Sequence, residues 1–244
     1  MMQKLIDGAQ KLGINLSDKQ ITQFKLYYQE LVSWNKKFNL TTITDYQEVQ
    51  TKHFLDSLTV VLALTEEELR QPGFSIIDIG TGAGFPGIPL KVFLPQSRLV
   101  LLDSKAKKAT FLQHIVEQLE LSHVEVVIGR AEETAHQSLF RQNFTLVVSR
   151  AVASLPILVE LALPFCHIGG KFVAQKKGEV EQEITAASKA IDVLGGELNQ
   201  VRKLELEELS DRRYLVIIDK IYPSPEKYPR RAGTPTRRPI IGVE

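Results

Sequence analysis

The chain has 244 residues, 43% hydrophobic and 24% charged, with 30 Lys and Arg against 29 Asp and Glu for a net charge of +1. That composition fits one soluble globular domain with room for an appendage, and excludes a disordered, fibrous or strongly basic protein. A single cysteine, Cys166, excludes a disulfide framework and a cysteine-rich zinc site; no signal-peptide core follows Met1-Met2-Gln3-Lys4 and no apolar run is long enough to span a membrane, so a cytoplasmic protein without membrane contact is expected.

Met1 to about Leu12 reads as a short helix. Ser17 and Gln20 make a capping box ahead of Ile21, Phe24, Tyr28, Leu31, Val32 and Phe38, whose spacing predicts an amphipathic helix from Ser17 to about Phe38. Trp34 and Phe38 are expected in the core. From residue 74, short apolar strands alternate with helices. Strands are expected at Ser75–Ile79, Arg98–Asp103, Val124–Ile128, Phe144–Ser149, Lys171–Gln175, Leu198–Leu206 and Tyr214–Ile221. Helices are expected at Pro86–Leu94, Ala106–Leu119, Glu132–Ser138, Leu155–Phe165 and Glu179–Leu194. Such alternation gives an α/β fold, a mostly parallel seven-stranded sheet with helices on both faces. The short link 207–213 forces the last two strands into a closing antiparallel hairpin. Residues 1–70 then form a helical N-terminal extension, 71–222 the core, and 223–244 a basic, proline-rich tail. From Lys227 to Val243 the tail carries Lys227, Arg230, Arg231, Arg237 and Arg238 and no acid, which suits either a solvated terminus or a phosphate-binding arm.

The most informative stretch is Asp78-Ile79-Gly80-Thr81-Gly82-Ala83-Gly84-Phe85-Pro86-Gly87. It reads as strand, glycine-rich turn and helix, with backbone at Gly80 and Gly82 able to lie where a side chain would collide with a bound molecule. About twenty residues on, a second apolar run ends in Asp103, and a carboxylate there suits a ribose diol. The layout is a nucleoside-cofactor site. Gly82 to Gly87 literally matches the dinucleotide fingerprint, but Asp78 at the strand end opposes a pyrophosphate and suits the cationic groups of S-adenosylmethionine. The acid-x-Gly-x-Gly-x-Gly pattern and the closing hairpin resemble class I (Rossmann-like) methyltransferases rather than the symmetric dehydrogenase order.

Ligands in such folds sit at the carboxyl ends of the strands. There the chain offers Asp103-Ser104-Lys105, then Gly129 to Glu133, Ser149-Arg150-Ala151 and Gln175 to Gly178. Ala131 and Glu132 lie where an adenine edge passes, and a guanidinium at Arg150 suits the carboxylate of a methionine moiety. Glu132 equally suits a helix-start acid. The Asn-Pro-Pro-Tyr of exocyclic-amine enzymes and the Pro-Cys nucleophile of cytosine-C5 enzymes are absent. A methyl acceptor with a free lone pair, such as guanine N7, needs no general base, so no catalytic side chain and no metal are expected.

Four stretches carry a closer resemblance: Trp34 to Thr41, His53-Phe54-Leu55-Asp56-Ser57, the turn from Asp78 to Pro89, and Ser149 to Leu155. With these the chain resembles the RsmG (GidB) family of bacterial 16S rRNA guanine-N7 methyltransferases. The resemblance implies a class I fold, S-adenosylmethionine as donor, a guanine in the helix-18 loop of 16S rRNA as acceptor, and cofactor contacts at Gly80, Phe85, Ala131, Glu132 and Arg150. It places Asn39 and His53 in motifs facing the substrate, although a helix-packing role suits His53 as well. The small ribosomal subunit or an assembly intermediate is the implied partner of an enzyme expected to be monomeric. A methyltransferase for another RNA, a protein or a small molecule, a nicotinamide-dependent dehydrogenase, and a non-catalytic RNA-binding module remain the rival readings.

Overall fold

The interior strands are near-continuous runs of Ile, Val, Leu and Phe, as a sheet covered on both faces requires. The computed structural model describes residues 2–209 and 211–242. Met1, Ser210, Val243 and Glu244, which belong to the expected first helix, the β6–β7 link and the tail, lie outside the described residues. The strands are β1 (Ser75–Ile79), β2 (Arg98–Asp103), β3 (Val124–Ile128), β4 (Phe144–Arg150), β5 (Cys166–Lys177), β6 (Gly196–Leu204) and β7 (Arg213–Lys220), in the spatial order β3-β2-β1-β4-β5-β7-β6. The first five pair in parallel, and β7 runs antiparallel between β5 and β6. Strand order reverses between β1 and β4, so the crevice for a ligand opens at their carboxyl ends.

Alternation along the strands sorts the core into two layers. Ile76, Leu99, Leu101, Leu146 and Val148 share one cluster with α1 (Gln3–Lys11), α2 (Asp18–Phe38), α6 (Gly87–Phe93) and α7 (Ala106–Gln118). Ile77, Val100, Leu102 and Val147 share the other with α8 (Ala131–Thr134), α9 (Leu155–Ala162) and α10 (Glu181–Val193). The N-terminal helices therefore complete one face of the sheet. No helix among the described residues is long and apolar enough to cross a membrane.

The capping box at Ser17 forms as the sequence requires, with Ser17 N donating to Gln20 Oε1 (2.8 Å) and Gln20 N to Ser17 Oγ (3.3 Å). Gln20 Nε2 also donates to Val92 O (2.9 Å) and ties α2 to α6. The structure adds a helical segment the sequence left unassigned. It comprises α3 (Tyr46–Glu48), a π-helix (Val49–Leu55), α4 (Asp56–Leu58) and a 3-10 turn (Thr59–Ala63), followed by α5 (Glu66–Arg70). Every residue of the π-helix except Lys52 is buried, so the usual apolar stripe is missing from its sequence. Elsewhere, β5 starts earlier than expected, at Cys166, because Pro164 turns the end of α9 into a 3-10 turn (Leu163–Phe165). Helix α6 starts at Gly87, with Pro86 as its N-cap rather than in its first turn.

Tyr27 on α2 is fully buried, stacks on Phe85 (centroids 5.3 Å apart) and donates its hydroxyl to Ala83 O (2.5 Å). That bond anchors the glycine turn to the N-terminal helices. Removing it in Tyr27→Phe strands a buried carbonyl and is expected to cost about 1–2 kcal/mol. Urea unfolding should show a lower midpoint at unchanged slope; an unchanged midpoint would mean the bond contributes nothing.

Candidate active site

The glycine turn is held from below and from the side. The alternation of β1 turns Asp78 toward the α6 layer, where it is fully buried beneath the turn rather than open to the crevice. Its Oδ2 accepts Thr81 Oγ1 (2.6 Å) and Gly87 N (2.8 Å), while Oδ1 has no partner. Burial pushes this carboxyl up to about 6, against the lowering effect of those two bonds. Asp103, at the end of β2, accepts Gly82 N on Oδ2 (2.9 Å) and Lys105 N on Oδ1 (2.9 Å), and Lys108 Nζ stands 3.6 Å away. Gly80 adopts φ +69°, a backbone conformation that disfavours any side chain, and a Cβ there would also push on the exposed Val152 side chain (2.6 Å).

A cavity of about 370 Å³ opens at the carboxyl ends of β1, β2 and β3. Of the residues expected to hold a cofactor, Gly80, Asp103, Ala131 and Glu132 line it. Gly82 supports it through the bond to Asp103. Phe85 and Arg150 are not among its walls but stand together, the guanidinium 5.1 Å from the ring centroid. Asp103 keeps lone pairs to spare on both oxygens, whereas Glu132 Oε1 already accepts Gly233 N (3.0 Å) from the tail.

A second cavity of about 410 Å³ lies beside the first, and Ala151 walls both. Its other walls include Lys52, His53, Arg150, Lys176, Lys177 and Arg213. Behind them sits Asp56, 1% exposed, whose Oδ2 accepts Arg150 Nη1 (2.7 Å) and Arg213 Nη1 (3.0 Å). Its backbone oxygen accepts Gln175 Nε2 (2.5 Å). Two guanidiniums share this one carboxylate, Arg213 also pairs with Asp211 (3.5 Å), and Glu183 is an acid in the cavity wall beside Lys176. Arg150 also donates to Lys52 O (3.2 Å) and, through Nη2, to His53 Nδ1 (3.4 Å). A guanidinium cannot accept, so Nδ1 is the acceptor and Nε2–H donates to Thr41 Oγ1 (2.9 Å). The ring stacks on Phe85 with centroids 4.5 Å apart. Burial, then the nearby Arg150 charge, pushes His53 down to about 3. His53 is thus a neutral imidazole with both nitrogens engaged. Asn39 is the left-handed C-cap of α2 (φ +48°), its N–H bonded to Asn35 O (3.1 Å).

Sequence reasoning missed Asp56, Arg213, Thr41 and the tail's contacts. One signal was available: Asp56 and Glu160 are lone acids inside apolar segments, and a buried carboxylate demands a cationic partner. The tail lies against the body rather than apart from it. Arg230 pairs with the fully buried Glu160 (2.6 Å), and Ile240 packs on the second core cluster.

The chain matches the family GidB, described as rRNA small subunit methyltransferase G, over residues 20–214. A ribosomal RNA small subunit methyltransferase G of Dehalococcoides mccartyi is 48% identical over 240 residues, 98% of this chain and 100% of that protein. One from Alkaliphilus metalliredigens is 44% identical over 236 residues, 97% of each. Geranyl diphosphate C-methyltransferase from Streptomyces coelicolor A3(2), solved with Mg2+, geranyl diphosphate and S-adenosyl-L-homocysteine, shares the fold at a TM-score of 0.50 and 14% identity, over 80% of this chain and 98% of that one.

The His53 environment sets a pH dependence. Its folded pKa of about 3 lies below the ordinary 6.5, so the unfolded chain takes up the proton first and the native state loses stability as pH falls from about 6.5 toward 3. Relative to His53→Gln, the native protein is expected to lose about 1–2 kcal/mol between roughly pH 7 and pH 5 in denaturant titrations. A difference that stays flat with pH would show that His53 is not held neutral.

Proposed function

Because the chain belongs to the small-subunit rRNA methyltransferase G (GidB) family, we propose that it transfers a methyl group from S-adenosylmethionine to N7 of a guanine in the helix-18 loop of 16S rRNA. The observation that carries this reading is the pair of cavities meeting at Ala151, one lined by Asp103 and Glu132, the other by five cationic side chains with the single acid Glu183. The first fits the donor: Gly80, held at positive φ, gives that wall backbone without a side chain, and Asp103 keeps acceptor capacity for ribose hydroxyls. Ala131 and Glu132 border the adenine. Arg150 has three of its N–H groups engaged by Asp56, Lys52 and His53, which leaves donors for a carboxylate at the boundary of the two cavities. Phe85, wedged between His53, Tyr27 and Arg150, fixes that boundary.

The donor supplies an electrophilic methyl on a sulfonium. The chain's residues orient and desolvate. Guanine N7 carries a lone pair and no proton to lose, so the site needs no base, and His53 with both nitrogens occupied provides none. Lys52, Lys176, Lys177 and Arg213 give the acceptor cavity the charge to hold phosphates around the target base. An unpaired loop offers that base where a duplex groove would hide it, and extrusion into the cavity brings N7 to the methyl.

Mass spectrometry of 16S rRNA from a deletion strain is expected to show the loss of one N7-methylguanine; an unchanged content sinks the assignment. Asp103→Asn is expected to weaken S-adenosylmethionine binding about 10–100-fold, the range of a lost charge-assisted hydrogen bond. Calorimetry giving wild-type affinity would remove Asp103 from the donor site.

A further inference from the structure

The tail's contacts converge on the donor cavity. Glu160 is fully buried on α9, between Val159 and Leu161, and Leu161 with Ile157 of the same helix lines that cavity. Its carboxylate accepts three bonds from Arg230: backbone N (2.9 Å) and Nε (2.8 Å) on Oε1, and Nη2 (2.6 Å) on Oε2. Arg230 Nη2 also donates to Arg238 O (2.7 Å) and closes residues 230–238 into a loop around α11 (Thr234–Arg237). Within that loop Gly233 N reaches Glu132 Oε1 (3.0 Å), Pro235 is buried, and Thr236 lines the cavity. Upstream, His136 Nε2 bonds Pro229 O (2.8 Å), and Arg141 donates to Ser224 O (2.9 Å), Pro225 O (3.1 Å) and Tyr228 O (2.8 Å).

The geometry points to a donor-binding role for the tail: the loop 230–238 is a wall of the donor cavity at its adenosyl end. Thr236 borders the ligand, and Gly233 and Arg230 are positioning residues that act through Glu132 and Glu160. The proposal rests on the donor assignment above and gives the tail a different task from an RNA-binding arm. Arg230, one of the tail's five cations, is already committed to a buried carboxylate. The loop it closes meets α8 and α9, which wall the donor cavity, while the cationic acceptor cavity has no tail residue in its walls.

The test is calorimetric titration of the full chain with S-adenosylmethionine, alongside RNA affinity and melting temperature. Thr236→Trp is expected to weaken donor binding at least tenfold at wild-type melting temperature and RNA affinity, because the exposed threonine is replaced by a ring that enters the cavity. Arg230→Ala is expected to weaken donor binding at least tenfold, Arg230→Lys less, and Arg231→Ala, an exposed cation of the same tail, not at all. Donor affinity within twofold of wild type for Thr236→Trp overturns the proposal, as does a loss confined to RNA affinity across the Arg230 variants. Wild-type protein that binds no S-adenosylmethionine refutes the donor assignment itself, and this inference with it.

Discussion

Asp56 is the joint on which the site depends. It sits on a helical turn of the N-terminal segment and is buried against the carboxyl end of β4 and the start of β7. One oxygen holds Arg150 and Arg213, and its backbone carbonyl holds Gln175 at the end of β5. Desolvating three charges is repaid only because they satisfy one another in good geometry. The consequence is rigidity where the two cavities meet. Arg150, fixed by Asp56, orients His53 and covers Phe85. His53 and Asp56, three residues apart on consecutive helical turns, share one face and meet the same guanidinium.

The glycine turn is gripped in the same manner by groups distant in sequence. Asp78 holds its two ends through Thr81 and Gly87, Asp103 its middle through Gly82, and Tyr27 its top through Ala83. The N-terminal helices are therefore part of the glycine turn's construction, since Tyr27 and Phe54 pack directly on Phe85. A turn with three glycines at positive φ is intrinsically floppy, and these contacts remove that freedom before any ligand arrives.

What was legible in the sequence follows from how local the determinants are. The bounds of β1, β2 and β3 and the Ser17–Gln20 capping box were readable because apolar runs and caps are short-range signals. Asp103, Ala131 and Glu132 line one cavity, at a place the sequence could indicate because the doubly wound fold fixes where strand ends lie. The π-helix was invisible because it is buried nearly all round. The position of Asp78 was misjudged because a strand's alternation, rather than its distance from the glycines, decides which way its last carboxylate faces. The tail was read as basic and irregular, which is true of its composition. Its destination was written elsewhere, in a glutamate amid the apolar residues of α9.

The charge arrangement bears on the proposed base-free transfer. In the proposed transfer the positive charge moves from the donor sulfonium to guanine N7, so charge beside the reacting atoms is displaced rather than created. Asp56 cancels one of the two guanidiniums that face it, and the depressed pKa of His53 keeps a further cation from forming against Phe85. The lysines at the cavity rim are paired too, Lys52 with Glu48 and Lys176 with Glu183. The more exposed pairs, Lys52 with Glu48 and Lys177 with Asp211, exchange partners at little cost, because such pairs are worth little in water. The rim can thus trade its carboxylates for RNA phosphates, while the buried network beside the methyl keeps the charge it was folded with.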